Sequence, residues 1–190
     1  MPATVASSAE RVPQSRIREL AEIAMSMDGV LKLYFGESSV PTPEYIRRAA
    51  QKAMADGFTF YTENAGLPSL RRELAAYYQR LHGCEIDPES EIVVTASGVQ
   101  ALNVAIRCVI DPGDETIVLT PAWPNGSANV LMANGCVREV PHPLNGGRYG
   151  IDFDALERAV SPRTRLLIYT SPSNPLGWVA TEQEQEQLLE

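Results

Sequence analysis

Three stretches of the sequence place residues that can bind a ligand directly after an apolar run that predicts a β-strand. Ser-Gly-Val follows residues 92–96, where Ser97 offers a hydroxyl and the backbone N–H groups of Gly98 and Val99 open a predicted helix. Unpaired N–H groups at a helix start can hold phosphate without a neighbouring Lys or Arg. An ordinary helix cap by Ser97 explains the same residues, so this stretch alone leaves both interpretations open.

The other two stretches add an aromatic ring and an amide. Trp123 stands in Pro-Ala-Trp-Pro after residues 116–120, and its indole can stack on a flat heteroaromatic ring or fill the edge of a sheet. Asn174 stands in Ser-Pro-Ser-Asn-Pro-Leu-Gly after residues 165–170. Its amide can donate to a ligand oxygen or belong to a simple turn. The Asn174–Pro175 bond is a candidate cis peptide that fixes the Asn side chain.

The elements that position these residues are strands alternating with helices. Apolar runs at residues 92–96, 116–120, 137–140 and 165–170 predict four strands, with helical patterns between them. This alternation predicts an α/β fold with a mostly parallel sheet flanked by helices. Ligands of such sheets bind at the carboxyl ends of the strands. We therefore expect the three stretches to meet at one edge of the sheet.

Helix signals complete this picture. Residues 99–110 are apolar nearly all round, which predicts a helix buried on most sides. Asp154 with Glu157, and Thr181 with Glu184, have the spacing of a capping box. A helical pattern between Ser15 and Gly29 predicts an N-terminal helical arm.

Composition narrows the function classes. The net charge is −8 and no Lys/Arg run exceeds two residues, so binding to nucleic acid is disfavoured. No apolar run has the length of a membrane helix, and no apolar core of a secretory signal is present. Three widely spaced cysteines argue against a disulfide framework or a metal site and favour a cytoplasmic protein. His82 and His142 are isolated, and we expect them at the surface or at caps.

Six motifs together resemble the class I and II aminotransferases, which are pyridoxal-phosphate enzymes of fold type I. In order they are Tyr-Phe-Gly-Glu at 34–37, Phe-Tyr-Thr-Glu-Asn-Ala-Gly-Leu-Pro-Ser-Leu-Arg at 60–71, Val-Thr-Ala-Ser-Gly-Val-Gln-Ala-Leu at 94–102, Asp-Pro-Gly-Asp-Glu at 111–115, Pro-Ala-Trp-Pro at 121–124 and Ser-Pro-Ser-Asn-Pro-Leu-Gly at 171–177. The resemblance implies an N-terminal arm and part of a small domain at residues 1–40. It implies an incomplete cofactor-binding large domain at residues 41–190.

The resemblance also implies a role for each cofactor-binding residue. Ser97, Gly98 and Val99 match the loop that holds the phosphate of pyridoxal 5'-phosphate. Trp123 matches the aromatic residue that stacks on the pyridine ring, and Asn174 matches the amide that hydrogen-bonds the phenolic oxygen.

Two further residues match positions that serve the substrate and the dimer. Tyr61 matches the tyrosine that reaches across a homodimer interface to the partner's phosphate. Gly36 matches the glycine whose backbone lies beside the substrate carboxylate. The activity implied moves an amino group from an amino acid to a 2-oxo acid, with the cofactor as electron sink.

The sequence departs from the family pattern in two ways. Leu176 stands where Thr or Ser is common. The family's cofactor-binding lysine and the Asp, Tyr and Arg that accompany it have no match after Trp178, and the two lysines present, Lys32 and Lys52, read as solvated. We therefore expect an N-terminal part of such an enzyme that is inactive alone and carries no catalytic residue.

Two alternatives stay open at this point. A non-catalytic, truncated cofactor-binding or interaction module shares these motifs, and so does part of a lyase or synthase of the same fold. A dinucleotide-binding domain is disfavoured because Ser-Gly-Val-Gln-Ala-Leu replaces the Gly-x-Gly-x-x-Gly that it needs after the first strand.

Overall fold

The computed structural model describes residues 4–190, so residues 1–3 of the predicted arm lie outside the described residues. Contacts divide the chain into two compact units. One comprises Arg16–Ala96, and the other comprises Ser97–Glu190 together with residues 4–15. The division of the sequence at residue 40 stays a prediction. Within residues 4–190, no helix combines the length and the apolar character that a membrane crossing needs.

The larger unit is built on three parallel strands. The strands are β1 (Glu115–Thr120), β2 (Cys136–Pro141) and β5 (Thr164–Ile168). Between β2 and β5, the chain forms a short separate hairpin from β3 (Leu144–Asn145) and β4 (Arg148–Tyr149). Their order is β2-β1-β5, with β1 in the centre and both pairings parallel. All three strands were expected at these positions, and the parallel sheet confirms the predicted fold class.

Helices cover both faces of this sheet. The unit contains α1 (Ser7–Glu10), α5 (Gly98–Val109), α6 (Asn125–Met132), α7 (Phe153–Ala159) and α8 (Glu182–Leu189). Ile106 of α5 and Val130 of α6 form a buried cluster with the partly buried Leu166 and Ile168 of β5. On the other face, Ile117 and its neighbours in the sheet pack against α7. The two faces are therefore covered by different helices, as expected of strands that are apolar on both sides.

The smaller unit is helical. It contains α2 (Arg16–Met25), α3 (Glu44–Ala55) and α4 (Pro68–His82). Gly83 ends α4 with a φ of 68°, a left-handed conformation that glycine adopts at little cost. The guanidinium of Arg71 is buried and donates to the carbonyls of Gly66 and Pro88, which fixes the loops on either side of α4.

Three expectations about elements were wrong. Residues 92–96 form no strand, and the N–H of Val94 instead donates to the carbonyl of Ala65, which lies in a turn. α5 is not buried on most sides, since only Ile106 of that helix is buried. Asp152, not Asp154, caps α7, and its side chain accepts from the N–H of Ala155. The capping box of Thr181 and Glu184 at α8 is confirmed.

Candidate functional site

The carboxyl ends of β1, β2 and β5 converge on one cavity of about 160 Å³. The chain leaves β1 at Pro121, leaves β2 at His142 and leaves β5 toward Thr170, and each of these residues contributes to the wall. The lining is completed by Leu102, Val118, Leu119, Ala122, Trp123, Gly126, Ile168, Ser173 and Asn174. Two of the three predicted stretches thus meet at one edge of the sheet, as expected of parallel strands.

Trp123 lies between β1 and α6 and presents its indole at this cavity. Its side chain is 41% exposed, so much of its surface remains available to a ligand. Pro124 stands at the start of α6, which limits the backbone freedom next to the indole. Gly126 of α6 also lines the cavity, and a Cβ added there would meet the Ile168 side chain at 3.5 Å.

Asn174 reaches the cavity from the loop that follows β5. The Asn174–Pro175 bond is cis, which confirms the prediction, and Ser171–Pro172 is cis as well. The loop is closed by a bond of 2.8 Å from the N–H of Ser173 to the carbonyl of Trp178. The side chain of Asn174 is exposed and lines the cavity, so its amide is open to a partner.

Ser97 caps α5, which is the simpler of the two interpretations open for it. Its Oγ accepts from the N–H of Gln100 at 3.2 Å. A Cβ built on Gly98 meets no atom within 4 Å, so the surface at the helix start is open. Leu102, one turn further along α5, lines the cavity. The phosphate-binding role of Ser97, Gly98 and Val99 stays a prediction.

His142 is a cavity residue that the sequence reasoning missed. It was expected at the surface or at a cap, yet it is only 8% exposed and lines the cavity beside Trp123 and Asn174. Its Nδ1 lies 2.7 Å from the carbonyl oxygen of Gly150. The available signal was its position: Pro-His-Pro directly follows a strand, at the edge where ligands of parallel sheets bind.

The amino end of the same sheet carries a charged cluster. Glu115 is 1% exposed, and its carboxylate accepts from Arg138 at 2.9 Å, from Arg163 at 2.6 Å and from the Ser161 hydroxyl at 2.8 Å. The guanidinium of Arg138, the Ser161 hydroxyl and the Arg163 guanidinium together lower the pKa of Glu115 from 4.5 to about 2, against the opposing effect of burial. This cluster is closed, since each carboxylate oxygen is hydrogen-bonded.

Tyr61 and Gly36 belong to the smaller unit. The Tyr61 side chain is fully exposed, and a Cβ built on Gly36 meets no atom within 4 Å. Both lysines of the sequence also lie in this unit: Lys32 is exposed, and Lys52 of α3 forms an ion pair with Asp56, which follows the helix. Among residues 4–190, no group of three or more His, Cys, Asp or Glu side chains could hold a metal ion.

The sequence matches the family described as "Aminotransferase class I and II" over residues 28–190. A probable aspartate/prephenate aminotransferase of Thermus aquaticus is 39% identical over 161 residues, which are 85% of this chain and 42% of that protein. YugH of Bacillus subtilis, named a putative aminotransferase, is 34% identical over 95% of this chain and 47% of its own length.

Solved structures give the same result. The aspartate aminotransferase of Thermus thermophilus with maleate superposes with a TM-score of 0.89 at 35% identity, over 98% of this chain and 49% of that one. The N-succinyldiaminopimelate aminotransferase of Mycobacterium tuberculosis gives a TM-score of 0.85 at 32% identity, over 95% and 47%. These likenesses confirm the fold type I architecture, and the chain spans about half the length of the relatives it matches.

Proposed function

Because this chain belongs to the class I and II aminotransferase family, we propose that it forms the cofactor-binding part of a pyridoxal-phosphate-dependent aminotransferase. Such an enzyme moves an amino group from an amino acid to a 2-oxo acid. The observation that carries the proposal is the cavity at the carboxyl edge of the sheet, where Trp123 and Asn174 line one wall together. The free, exposed cysteines Cys84, Cys108 and Cys136 are consistent with a reducing cytoplasm.

The residues at this cavity fit pyridoxal 5'-phosphate. A flat aromatic ring needs a flat apolar neighbour, and the half-exposed indole of Trp123 provides one. A ring oxygen needs a donor, and the amide of Asn174 provides it from the adjacent loop. When bound, the cofactor supplies an electron sink for the amino-acid carbon. Trp123 orients the ring and excludes water from one face, while Asn174 holds the ring oxygen.

The phosphate belongs at the start of α5 in this proposal. The helix has 12 residues, so its N-terminal N–H groups and its dipole favour an anion. Ser97 contributes its hydroxyl, and Gly98 and Val99 contribute backbone N–H groups. The open surface at Gly98 leaves room for the phosphate oxygens.

Tyr61 and Gly36 complete the proposal with a partner and a substrate. The fully exposed phenol of Tyr61 is available to a second copy, so we propose a homodimer in which it reaches the partner's phosphate. The backbone of Gly36 lies beside the substrate carboxylate in this proposal, and the absence of a side chain allows that close approach.

One observation supports a second candidate, a cofactor-binding module without catalysis. Residues 97–190, which include every residue of the cavity wall, contain no lysine. Transamination needs an amine that binds the cofactor covalently and then moves protons at the amino-acid carbon. We therefore propose that these 190 residues bind the cofactor and that turnover requires a lysine other than Lys32 and Lys52, neither of which lines the cavity.

A binding titration combined with a turnover assay tests both candidates. Pyridoxamine 5'-phosphate is the better probe, because it cannot react with lysine amines as the aldehyde form does. We expect saturable quenching of indole fluorescence and weaker competition by inorganic phosphate. The absence of saturable binding contradicts the proposal. In the presence of pyridoxal 5'-phosphate, an amino acid and a 2-oxo acid, the 190 residues alone are expected to show no amino transfer, and measurable transfer contradicts the need for another lysine.

A further inference from the structure

The ring of His142 is held on several sides within the cavity wall. Its backbone N–H donates to the carbonyl of Thr120 at 2.7 Å, which ties it to the end of β1. The imidazole packs on the indole of Trp178 with ring centroids 4.6 Å apart, and Trp178 packs in turn on Tyr169 at 6.1 Å. A buried side chain with these contacts has one orientation, so its two ring nitrogens face different surroundings.

The hydrogen bond at Nδ1 decides where the proton of the neutral ring lies. Nδ1 is 2.7 Å from the carbonyl oxygen of Gly150, and a carbonyl oxygen can only accept. Nδ1 must therefore carry the hydrogen and donate it. In the neutral imidazole this leaves Nε2 with a lone pair and makes it an acceptor.

Nε2 has no hydrogen-bond partner among residues 4–190. Within the described chain, the ring forms its hydrogen bond through Nδ1, to Gly150. Some side-chain atoms are both fully buried and without a partner, but Nε2 is not one of them. Nε2 therefore keeps some accessible surface although His142 as a whole is buried. Since the residue lines the cavity, an acceptor is available there to a ligand that carries a donor.

We propose that Nε2 of His142 accepts a hydrogen bond from the heteroaromatic ligand that occupies this cavity, an inference that rests on the proposed function. The matching ligand class is a flat ring that bears an N–H or O–H donor, and pyridoxamine 5'-phosphate offers donors at its ring nitrogen, its ring hydroxyl and its amino group. The half-exposed Trp123 and the exposed Asn174 bind the ligand from the outer side, while the buried His142 binds it from deeper in the wall. His142 is thus a ligand-binding residue and not a cap.

The test uses the imidazole nitrogen resonances of the whole chain. The sequence contains only two histidines, so the exposed His82 serves as an internal reference. Spectra are recorded at about pH 8, where imidazole side chains are generally neutral. On addition of pyridoxamine 5'-phosphate, the unprotonated Nε2 signal of His142 is expected to move upfield. Its Nδ1 signal and both His82 signals should stay in place.

Variants provide a second measurement. His142→Phe keeps a ring against Trp178 but removes the acceptor, and it should weaken binding of pyridoxamine 5'-phosphate about two- to tenfold, the size of one net hydrogen bond. His82→Phe is the matched control and should leave the affinity unchanged. Should His142→Phe fail to fold because the bond to Gly150 is lost, the nitrogen spectra of the unmodified chain still decide the question.

The outcomes separate this inference from the proposed function. Movement of the Nε2 signal by pyridoxamine 5'-phosphate, but not by inorganic phosphate, supports the inference. Binding that quenches the indole fluorescence while Nε2 stays unchanged overturns the inference and leaves the proposed function intact. Failure of pyridoxamine 5'-phosphate to bind at all overturns both.

Discussion

The two ends of the three-stranded sheet differ in how their polar groups are satisfied. At the amino end, the buried carboxylate of Glu115 is hydrogen-bonded to Arg138, Arg163 and Ser161. At the carboxyl end, the cavity wall contains the unpartnered Nε2 of His142 and the exposed amide of Asn174. One end is closed by its own side chains, whereas the other leaves donors and acceptors for a ligand.

Buried polar atoms reinforce the difference. Ser173 Oγ and Trp178 Nε1, both in the loop after β5, have no hydrogen-bond partner among the described residues. Unpaired polar atoms are costly in a protein interior and are found at binding sites more readily than in structural cores. Thr116 Oγ1 in β1 and Asn129 Nδ2 in α6 are also unpartnered, and nothing in the structure explains either of them. The closed cluster favours a stabilising role for the amino end, and the unpaired groups of the carboxyl end support the ligand-binding role proposed above for the cavity.

Removal of the Glu115 charge should give the largest effect on stability. Glu115→Gln breaks the ion pairs with Arg138 and Arg163 and leaves two guanidinium groups beside a neutral amide. We expect a larger fall in unfolding temperature than for Trp123→Leu or for either Ser97 variant. Affinity for pyridoxamine 5'-phosphate should not change, because Glu115 lies five residues, or about 17 Å of strand, from the end of β1.

The matched control for this variant is Glu139→Gln. Glu139 is an exposed carboxylate on the neighbouring strand β2, and within residues 4–190 it forms no ion pair. The two variants change the net charge equally, so a thermal melt of each separates the cluster from a general charge effect. Equal melting temperatures for the two variants contradict a stabilising role for the cluster.

The same cluster predicts how stability depends on pH. The pKa of Glu115 falls from 4.5 to about 2 on folding, so its contribution to stability is fully present above pH 4.5. That contribution is lost as the pH falls from 4.5 through about 2, because the carboxyl group then becomes protonated in the folded state as well. Acid unfolding followed by circular dichroism should be less steep in Glu115→Gln than in the unmodified chain. Equally steep acid-unfolding curves for the variant and the unmodified chain contradict the role of Glu115 in the pH dependence of stability.

At the opposite end, Trp123→Leu should affect binding and spare stability. Loss of a stacked aromatic ring costs about 1–3 kcal/mol, by analogy with bases stacked on aromatic side chains. Since Trp123 is 41% exposed, its removal should lower the melting temperature little. Calorimetric titration with pyridoxamine 5'-phosphate measures the loss, and Trp123→Phe, which retains a ring, should recover part of it. A Leu variant that binds as tightly as the unmodified chain rules out stacking by Trp123.

The smallest effect is expected at the cap of α5. Ser97→Ala removes the acceptor for the Gln100 N–H and should destabilise the unit by about 1 kcal/mol. Ser97→Gly should cost only a few tenths of a kcal/mol, because glycine is tolerated at this position. Chemical denaturation measures both. If the Ser97 hydroxyl also holds phosphate, Ser97→Ala and Ser97→Gly should lose similar affinity for inorganic phosphate although their stabilities differ. If neither variant changes the affinity for phosphate, Ser97 serves as a helix cap alone.

Local signals in the sequence were sufficient for most helix boundaries and for three of the four strands. Gly83 ends α4, and Thr181 with Glu184 starts α8, because each signal acts within about four residues of the chain. The ordered motifs around Trp123 and Asn174 likewise identified the family and the edge of the sheet that carries the cavity. Where two acidic residues competed at the start of α7, the sequence pattern favoured Asp154, but the backbone conformation selects Asp152.

Only the tertiary structure decided what depends on partners distant in the sequence. A strand exists through its ladder, so the apolar run at residues 92–96 could not by itself become one. Burial also depends on residues that are distant in the sequence. Ile106 is the one buried residue of the apolar helix α5. The polar residues His142 and Glu115 are buried because other elements place Gly150 and Trp178 against the first and two arginines against the second. The sequence determined most helix boundaries and which motifs identify the family. Packing determined which polar groups are satisfied within the chain and which remain for a ligand, because that depends on atoms brought together by the fold.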